Sequence, residues 1–295
     1  MRSVHASKAE ATAAPRPRLL RWAQVGYSKT FFSVIFLMLF LFPLYWMVVT
    51  ALRPQSEIFA YPPHFLPLTL DWSYFRSVTF GNPQLLRYFS NSLIVGGGTT
   101  LFTLLLAAPA AFALAHLPLK GKSFLLLLSL SSLMFPVIML ATPLFVIFNQ
   151  LGLTNSLFGL VLANTTVTLP FAITVLRPFF LGISHQLVEA ALIDGTSTFG
   201  AFWRIILPLT LPGLLTTAIF TFLSSWGDLL LAVTLTTQDT YKPITAGIYS
   251  YIGSNVIRWN QVMSLSTIAM LPPMLITLVL QRYVVAGLTA GAVKE

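Results

Sequence analysis

The sequence contains no cysteine in 295 residues, which excludes disulfides and thiolate metal sites. It is also poor in charge: 8% of residues are charged, against roughly 25% in an average soluble domain. Acidic residues number 8 against 17 lysines and arginines. The four histidines, His5, His64, His116 and His185, fall in separate segments with no metal-ligand spacing. No G-x-S-x-G or zinc-protease pattern occurs, so catalysis finds no motif to rest on. Gly121-Lys122-Ser123 imitates the end of a phosphate-binding loop, but His116 stands where that loop needs its first glycine and no strand precedes it, so the segment reads as a basic turn. The Asn164-Thr165-Thr166 sequon sits inside an apolar run, beyond the reach of glycosylation.

What the chain has is apolar sequence. It is 56% hydrophobic, with a mean hydropathy of +0.81. Six runs are long enough to cross a bilayer, at residues 30–51, 88–115, 124–148, 158–180, 208–233 and 261–284, and predict an all-α polytopic membrane protein with six transmembrane helices. The first run follows a long basic lead and is itself membrane-length, so it reads as a span rather than a cleaved signal. Residues 1–29 form an N-terminal tail, 30–284 the membrane domain with a core at 88–284, and 285–295 a C-terminal tail. The net charge of +9 is distributed as lipid headgroups would demand, and not as a nucleic-acid surface. Arg2, Lys8, Arg16, Arg18, Arg21 and Lys29 crowd the N-tail. Lys120, Lys122, Arg177, Arg204, Arg282 and Lys294 fall on the same side in a six-span topology, which the positive-inside rule makes the cytoplasm, with both termini there.

The opposite side carries two substantial loops. Residues 53–87 hold Pro62, Pro63 and Pro67 and can form a short interfacial helix from about Asp71, while residues 234–260 are polar and aromatic. These loops can meet a soluble partner, or their aromatics can simply form the interfacial belt. Inside the spans, Gly96-Gly97-Gly98 invites close approach by another helix. Pro136, Pro143, Pro170, Pro272 and Pro273 remove backbone donors, leaving carbonyls that only protein or a wet cavity can satisfy. The polar residues of the spans cluster at Asn164, Thr165, Thr166 and Thr168, and again at Ser224, Ser225, Trp226 and Asp228. A carboxylate in a span faces the bundle interior or water. Asp228 can therefore bind a proton, an ion or a substrate hydroxyl, or cap local structure; Trp226 can stack on a sugar ring or anchor at an interface.

The most patterned polar segment is the loop at 181–207. Ser184 can cap a short helix with Leu187, Ala191 and Asp194 along one stripe and small Ala190 beside it, and Gly195 stops that helix. Thr196 or Ser197 can cap a second helix with Phe199, Phe202, Trp203 and Ile206 on one side, and Pro208 suits the first turn of the next span. Two short helices braced between spans make a lever on which an outside motor can act; the plainer alternative is a helix pair resting on lipid.

Glu189-Ala190-Ala191-Leu192-Ile193-Asp194-Gly195, with Phe202, Ile205, Leu207-Pro208 and Pro212 at their spacing here, resembles the E-A-A loop of permease subunits in binding-protein-dependent ABC importers. The tail Gln281-Arg282-Tyr283, then Gly287 to Lys294, resembles that of the carbohydrate-uptake, MalG-like branch. The similarity spans the chain after the N-tail, including Pro143 and the Trp226-Gly227-Asp228 region.

The resemblance implies a MetI-like permease fold that pairs with a second permease subunit, an ATPase dimer and an extracytoplasmic solute-binding protein in the cell (inner) membrane. ATP and Mg2+ would sit on the partner ATPase, with no cofactor or metal bound by this chain and no nucleic acid involved. Glu189, Ala190, Ala191, Asp194, Gly195, Phe202, Leu207 and Pro208 would couple to the ATPase, and Asn164, Thr165, Trp226 and Asp228 are the candidates for the translocation pathway. The chain departs from the family pattern at Ser184, where proline is usual, at Val188, often acidic, at Gly227-Asp228, usually Asn-Glu, and at Glu295, commonly glycine. A permease for a non-sugar solute is the nearest alternative. A secondary transporter would need a complete pathway in one chain, and a membrane enzyme a catalytic cluster that the sequence does not display.

Overall fold

The computed structural model describes residues 27–252 and 258–290. The expected tails, 1–29 and 285–295, therefore fall almost wholly outside the described side chains. The chain divides into two compact units, 1–47 and 48–295. The first supplies most of helix α1 (Tyr27–Ala51), whose residues Lys29–Ala51 have a mean hydropathy of 2.4.

The second unit is helical throughout its described residues. After α1 come a short turn of helix, α2 (Gln55–Ile58), and α3 (Ser73–Phe80), the interfacial helix anticipated from about Asp71. Asp71 accepts from the backbone N–H of Ser73 at 2.9 Å and starts it. The long helix α4 (Pro83–His116) begins five residues before the apolar run does, because Asn82 caps it, accepting from Gln84 N–H at 3.0 Å, with Pro83 at its first position. Helices α5 (Lys122–Leu133) and α6 (Val137–Gln150) follow, then α7 (Leu157–Leu181).

α4 and α7 lie side by side and run in the same direction. Gly98 meets Val161, Thr103 Oγ1 lies 2.8 Å from Thr168 Oγ1, and His116 Nε2 lies 2.8 Å from the carbonyl of Phe180. Two consecutive parallel helices require the chain between them to return, so α5 and α6 together make the third crossing. That crossing, expected over 124–148 with prolines that bend or break it, bends by 99° between Leu133 and Val137. Pro136 lacks the N–H that would continue α5, and its φ of −62° with ψ of 124° takes the backbone out of the helix. The expected Gly96 to Gly98 approach is real but is made by side chains: a Cβ on Gly96 would come within 2.9 Å of the Phe222 ring, and one on Gly98 within 2.8 Å of Val161.

The fifth crossing is revised. α11 (Leu211–Gly227) carries it, breaking at Asp228 before a separate short helix, α12 (Leu230–Leu235). A 3-10 turn (Asp239–Tyr241), α13 (Ile244–Ile252) and α14 (Trp259–Ala290) complete the chain. Among the described residues four helices are long and apolar enough to span a membrane, and six crossings result when the α5–α6 pair and the pair Thr198–Leu209 with Leu211–Gly227 each count as one. Three buried clusters hold the unit together. One lies at the α4 C-terminus around Phe112, Phe180 and Phe202, one in mid-bundle around Phe222, Trp226 and Leu265, and one at the α7 N-terminus around Leu160, Leu231 and Leu235.

Candidate functional site

The loop after α7 folds as two short helices. The first, α8 (His185–Ile193), is capped by Ser184, whose Oγ accepts from Gln186 N–H at 3.2 Å. Its end is closed by two bonds, Gly195 N–H to the carbonyl of Leu192 and Thr196 N–H to the carbonyl of Ala191, both 3.1 Å. This pairing is the Schellman closure, and it places Gly195 in the left-handed region at φ +82°. No atom lies within 4 Å of where a Gly195 Cβ would stand, so glycine is required there by the backbone and not by crowding.

The second helix begins at α9 (Thr198–Ala201), capped by Ser197, whose Oγ accepts from Gly200 N–H at 3.1 Å. It continues through a π turn at Phe202–Ile206 into α10 (Leu207–Leu209), and α11 then departs at 77°. Pro208 therefore ends this second helix and does not open the next span. Pro212 takes the first-turn position of α11, because the chain already turns at Thr210, whose Oγ1 bonds back to the carbonyl of Leu207 at 2.9 Å.

Burial divides the loop cleanly. Val188, Phe202 and Ile206 are buried with Ala108, Phe112, Leu176 and Phe180 of α4 and α7, and Ala191 is buried as well. The Phe202 ring lies 5.1 Å from Phe112 and 6.3 Å from Phe180. Alanines at 107, 108, 111 and 115 of α4 leave the room those rings fill. Phe199 and Trp203, with rings expected to be buried, are 72% and 45% exposed, and Leu187, on one stripe with the buried Ala191, is 40% exposed while Val188 turns inward. Glu189, Ala190, Asp194 and Gly195 form the exposed outer surface, and Leu207 is half-buried between. A rigid tip carrying two carboxylates is thus fixed on an aromatic seat.

Two histidines that the sequence separates meet behind this loop. His116 ends α4 and His185 opens α8, with their ring centroids 4.7 Å apart. His116 Nε2 lies within hydrogen-bond reach of the Phe180 carbonyl at the end of α7, which also accepts from Ile183 N–H at 3.0 Å. Lys122 Nζ donates to the carbonyl of Ala115, at 3.3 Å. The only sequence signal for these roles was the placement of both residues just past apolar runs.

The four residues singled out within the spans take structural partners. Asn164 Nδ2 donates to the carbonyl of Leu160 at 3.1 Å, and Thr165 Oγ1 to that of Val161 at 2.7 Å, both inside their own helix. Trp226 stacks on Phe222 at 5.5 Å and donates its indole N–H to the carbonyl of Ala269 at 3.1 Å. That carbonyl is the one Pro273 leaves without a helical donor, so the indole repairs the proline break in α14. Asp228 occupies the break after α11. Its Oδ1 and Oδ2 accept from Leu231 N–H at 3.2 Å and Ala232 N–H at 3.1 Å, capping α12, while its own carbonyl accepts from Thr245 Oγ1 at 2.6 Å. Thr166 and Ser132, which also bond carbonyls of their own helices, line a space of about 350 Å³ between the α5–α6 bend and α7. Ser132 went unnoticed in the sequence because it is one of three serines, with Ser129 and Ser131, in a leucine run.

Residues 103–290 match the family described as the binding-protein-dependent transport system inner membrane component. The chain belongs to that family. It is 36% identical over 256 residues to the trehalose transport system permease protein SugB of Mycobacterium tuberculosis, covering 86% of this chain and 92% of that one. It is 32% identical over 265 residues to the diacetylchitobiose uptake system permease protein DasC of Streptomyces coelicolor, covering 89% and 95%. Its fold is that of a chain in the crystal structure of a bacterial ABC transporter that imports the acidic polysaccharide alginate, at a TM-score of 0.75 over 92% of this chain and 99% of that one, with 20% identity. The chain is thus a multi-pass membrane permease of the binding-protein-dependent class, and its all-α fold agrees with the sequence reading.

Proposed function

We propose that this chain is one of two permease subunits in an ATP-driven carbohydrate importer, and that the loop at 181–207 is where an ATPase subunit drives it. The observation that carries the reading is the division of that loop into a buried aromatic seat and a rigid exposed tip. Glu189, Ala190, Asp194 and Gly195 present the tip, while Ala191 and Phe202 tie it to α4 and α7. The half-buried Leu207 and Pro208 pass the motion on to α11 through the 77° bend. A push on the tip moves the ends of the crossing helices with it, because the rings cannot slip without opening a cavity.

On this reading ATP and Mg2+ belong to the ATPase, this chain performs no catalysis, and both termini with the loop lie in the cytoplasm. A solute-binding protein delivers solute to the opposite side. Carbohydrate is favoured because relatives at 32% and 36% identity carry the names of two different disaccharides. The buried partners of Asn164, Thr165, Trp226 and Asp228 suit residues that hold the shape of a pathway, with Thr166 and Ser132 better placed to meet its contents.

Copurification in mild detergent tests the assembly, followed by ATPase assays with candidate sugars and their binding protein. An ATPase should copurify, and Glu189→Lys should abolish sugar-stimulated hydrolysis and uptake while the protein inserts at its normal level. Recovery of this chain without an ATPase, or full uptake by the variant, would overturn the coupling reading. Stimulation by amino acids or ions alone would overturn the sugar.

A further inference from the structure

An apolar groove opens on the outer surface of the bundle beside the loop, between α4, the second loop helix and α11. Its volume is about 170 Å³. Ala108 and Phe202 form its buried floor, and Leu101, Leu105 and Trp203, which are 57%, 51% and 45% exposed, form its rim. A sugar would find almost nothing to bond with there, since recognition of hydroxyls needs placed polar groups. Water is no better suited, because a buried water requires two to four polar partners, and apolar spaces of roughly 150 Å³ stay dry and take up apolar molecules.

Depth and charge select the occupant. Residues 101–109 lie about 10 to 22 Å along the α4 axis from its end at His116, at about 1.5 Å per residue. That is the depth of acyl chains in one leaflet of a hydrocarbon core about 30 Å thick. Arg204 follows Trp203 in the same π turn, is exposed, and has no ion-pair partner among the described residues. A half-exposed indole with a cation beside it, over an apolar slot, is the pattern of a headgroup-level anchor.

We propose that this groove binds one acyl chain of an anionic phospholipid, with Arg204 holding the headgroup phosphate. The chain packs against Phe202, the same ring that seats the loop, so the bound lipid braces the lever from the bilayer side. Only the choice of leaflet, the cytoplasmic one, rests on the orientation proposed above.

The test uses the purified transporter, with whatever subunits copurify, in nanodiscs containing a phospholipid with a photoactivatable acyl chain, either phosphatidylglycerol or phosphatidylcholine at equal mole fraction. Crosslinked peptides are mapped by mass spectrometry. Labelling should concentrate on residues 101–109 and 202–214 relative to the exposed apolar positions Leu275, Leu278 and Val279 of α14. Phosphatidylglycerol should label the groove about fivefold more than phosphatidylcholine, as roughly 1 kcal/mol for one cation at an anionic surface implies. Arg204→Gln should remove that preference, and Ala108→Phe should cut groove labelling while leaving α14 labelling intact. If Ala108→Phe fails to fold, the exposed Arg204→Gln variant still decides the matter. Equal labelling of groove and α14 would reduce the site to ordinary surrounding lipid, and a lack of headgroup preference would remove Arg204. Crosslinking of a cysteine placed at Leu105 to a second permease subunit would replace the lipid with protein. Labelling needs no transport, so loss of ATPase copurification with groove labelling intact would count against the coupling reading alone.

Discussion

The two ends of the helical bundle are fastened by different physics. At the loop end, Val188, Phe202 and Ile206 are held by shape, packed among Phe112, Leu176 and Phe180. At the other end the apolar cluster around Leu160, Leu231 and Leu235 is supplemented by directed hydrogen bonds between the connections. Asn155, at φ 51°, accepts from Thr237 N–H at 2.8 Å and Gln238 N–H at 2.9 Å. Asn91 Nδ2 donates to the carbonyls of Thr240 and Lys242 at 2.8 and 3.0 Å, and Ser92 Oγ accepts from Ile244 N–H at 2.8 Å. Hydrogen bonds of this kind fix register residue by residue, because each requires its donor and acceptor to be close and aligned. An apolar seat fixes position through close packing and not through a particular bond. Under the proposed coupling, the difference suits an end that receives force and an end that must keep its surface constant.

The sharpest way to break that contrast is Phe202→Ala. Removing a buried ring from an aromatic seat should destabilise the protein by about 3–5 kcal/mol, and the loss should appear both in thermal unfolding and as protease cleavage within 181–207. A variant with wild-type stability and an intact loop would mean that the ring cluster does not hold the lever. Asn155→Ala probes the other end. It strips two exposed backbone donors of their acceptor, at about 1 kcal/mol for each bond lost, and hydrogen exchange should rise at Thr237 and Gln238 while the loop amides keep their protection. Faster exchange in both places would show the two ends to be one cooperative unit.

These residues also mark what the sequence made legible. Periodicity and composition located α4, α7 and α14 to within a few residues, because a long apolar run in a charged frame has few alternatives. The caps at Ser184 and Ser197 and the stop at Gly195 were readable because each depends on local chemistry within four residues. The breaks were not. Pro136 announced a kink, but its size of 99° depends on α4 and α7 lying parallel, a fact of packing. Asp228 and Trp226 carried open readings, since the residues that decide between them, Leu231, Ala232 and Ala269, are either unremarkable in type or distant along the chain. Stripes fared worst in the loop: Leu187 and Val188 are equally apolar neighbours, and only the direction of approach to Phe180 determines which one is buried.

Gly195 sharpens the comparison on the lever itself. Its surroundings are empty, so any penalty there comes from the left-handed backbone, about 1–2 kcal/mol for an ordinary side chain. Gly195→Val should therefore lower stability by that amount and impair uptake, whereas Gly195→Asn, which tolerates the conformation, should retain most of both. If Asn fails as fully as Val while unfolding normally, the outer surface at this position must be in direct contact with the ATPase, and the elbow's angle would no longer be the property that matters.

The smallest effect belongs to the hydrogen-bonded end and depends on pH. Glu57 accepts from Thr69 Oγ1 at 2.6 Å and from Leu68 N–H at 3.2 Å, closing the connection between α1 and α3. The Thr69 hydroxyl, helped by the backbone donors, holds this carboxyl below the ordinary glutamate range. A group whose pKa is lower in the folded state contributes stability above its unfolded pKa, about 4.3, and loses that contribution as pH falls through the lower folded value. The Leu68 amide should accordingly stay protected from exchange between neutral pH and about 5, then lose protection at more acidic pH, with Asn155-dependent protection at Thr237 unchanged over the same range. Glu57→Gln keeps an acceptor without a titrating group, and should flatten the Leu68 profile. A profile that still bends in that variant would assign the transition to another group, and the contrast between a shape-held end and a bond-held end would lose its one acid-sensitive strand.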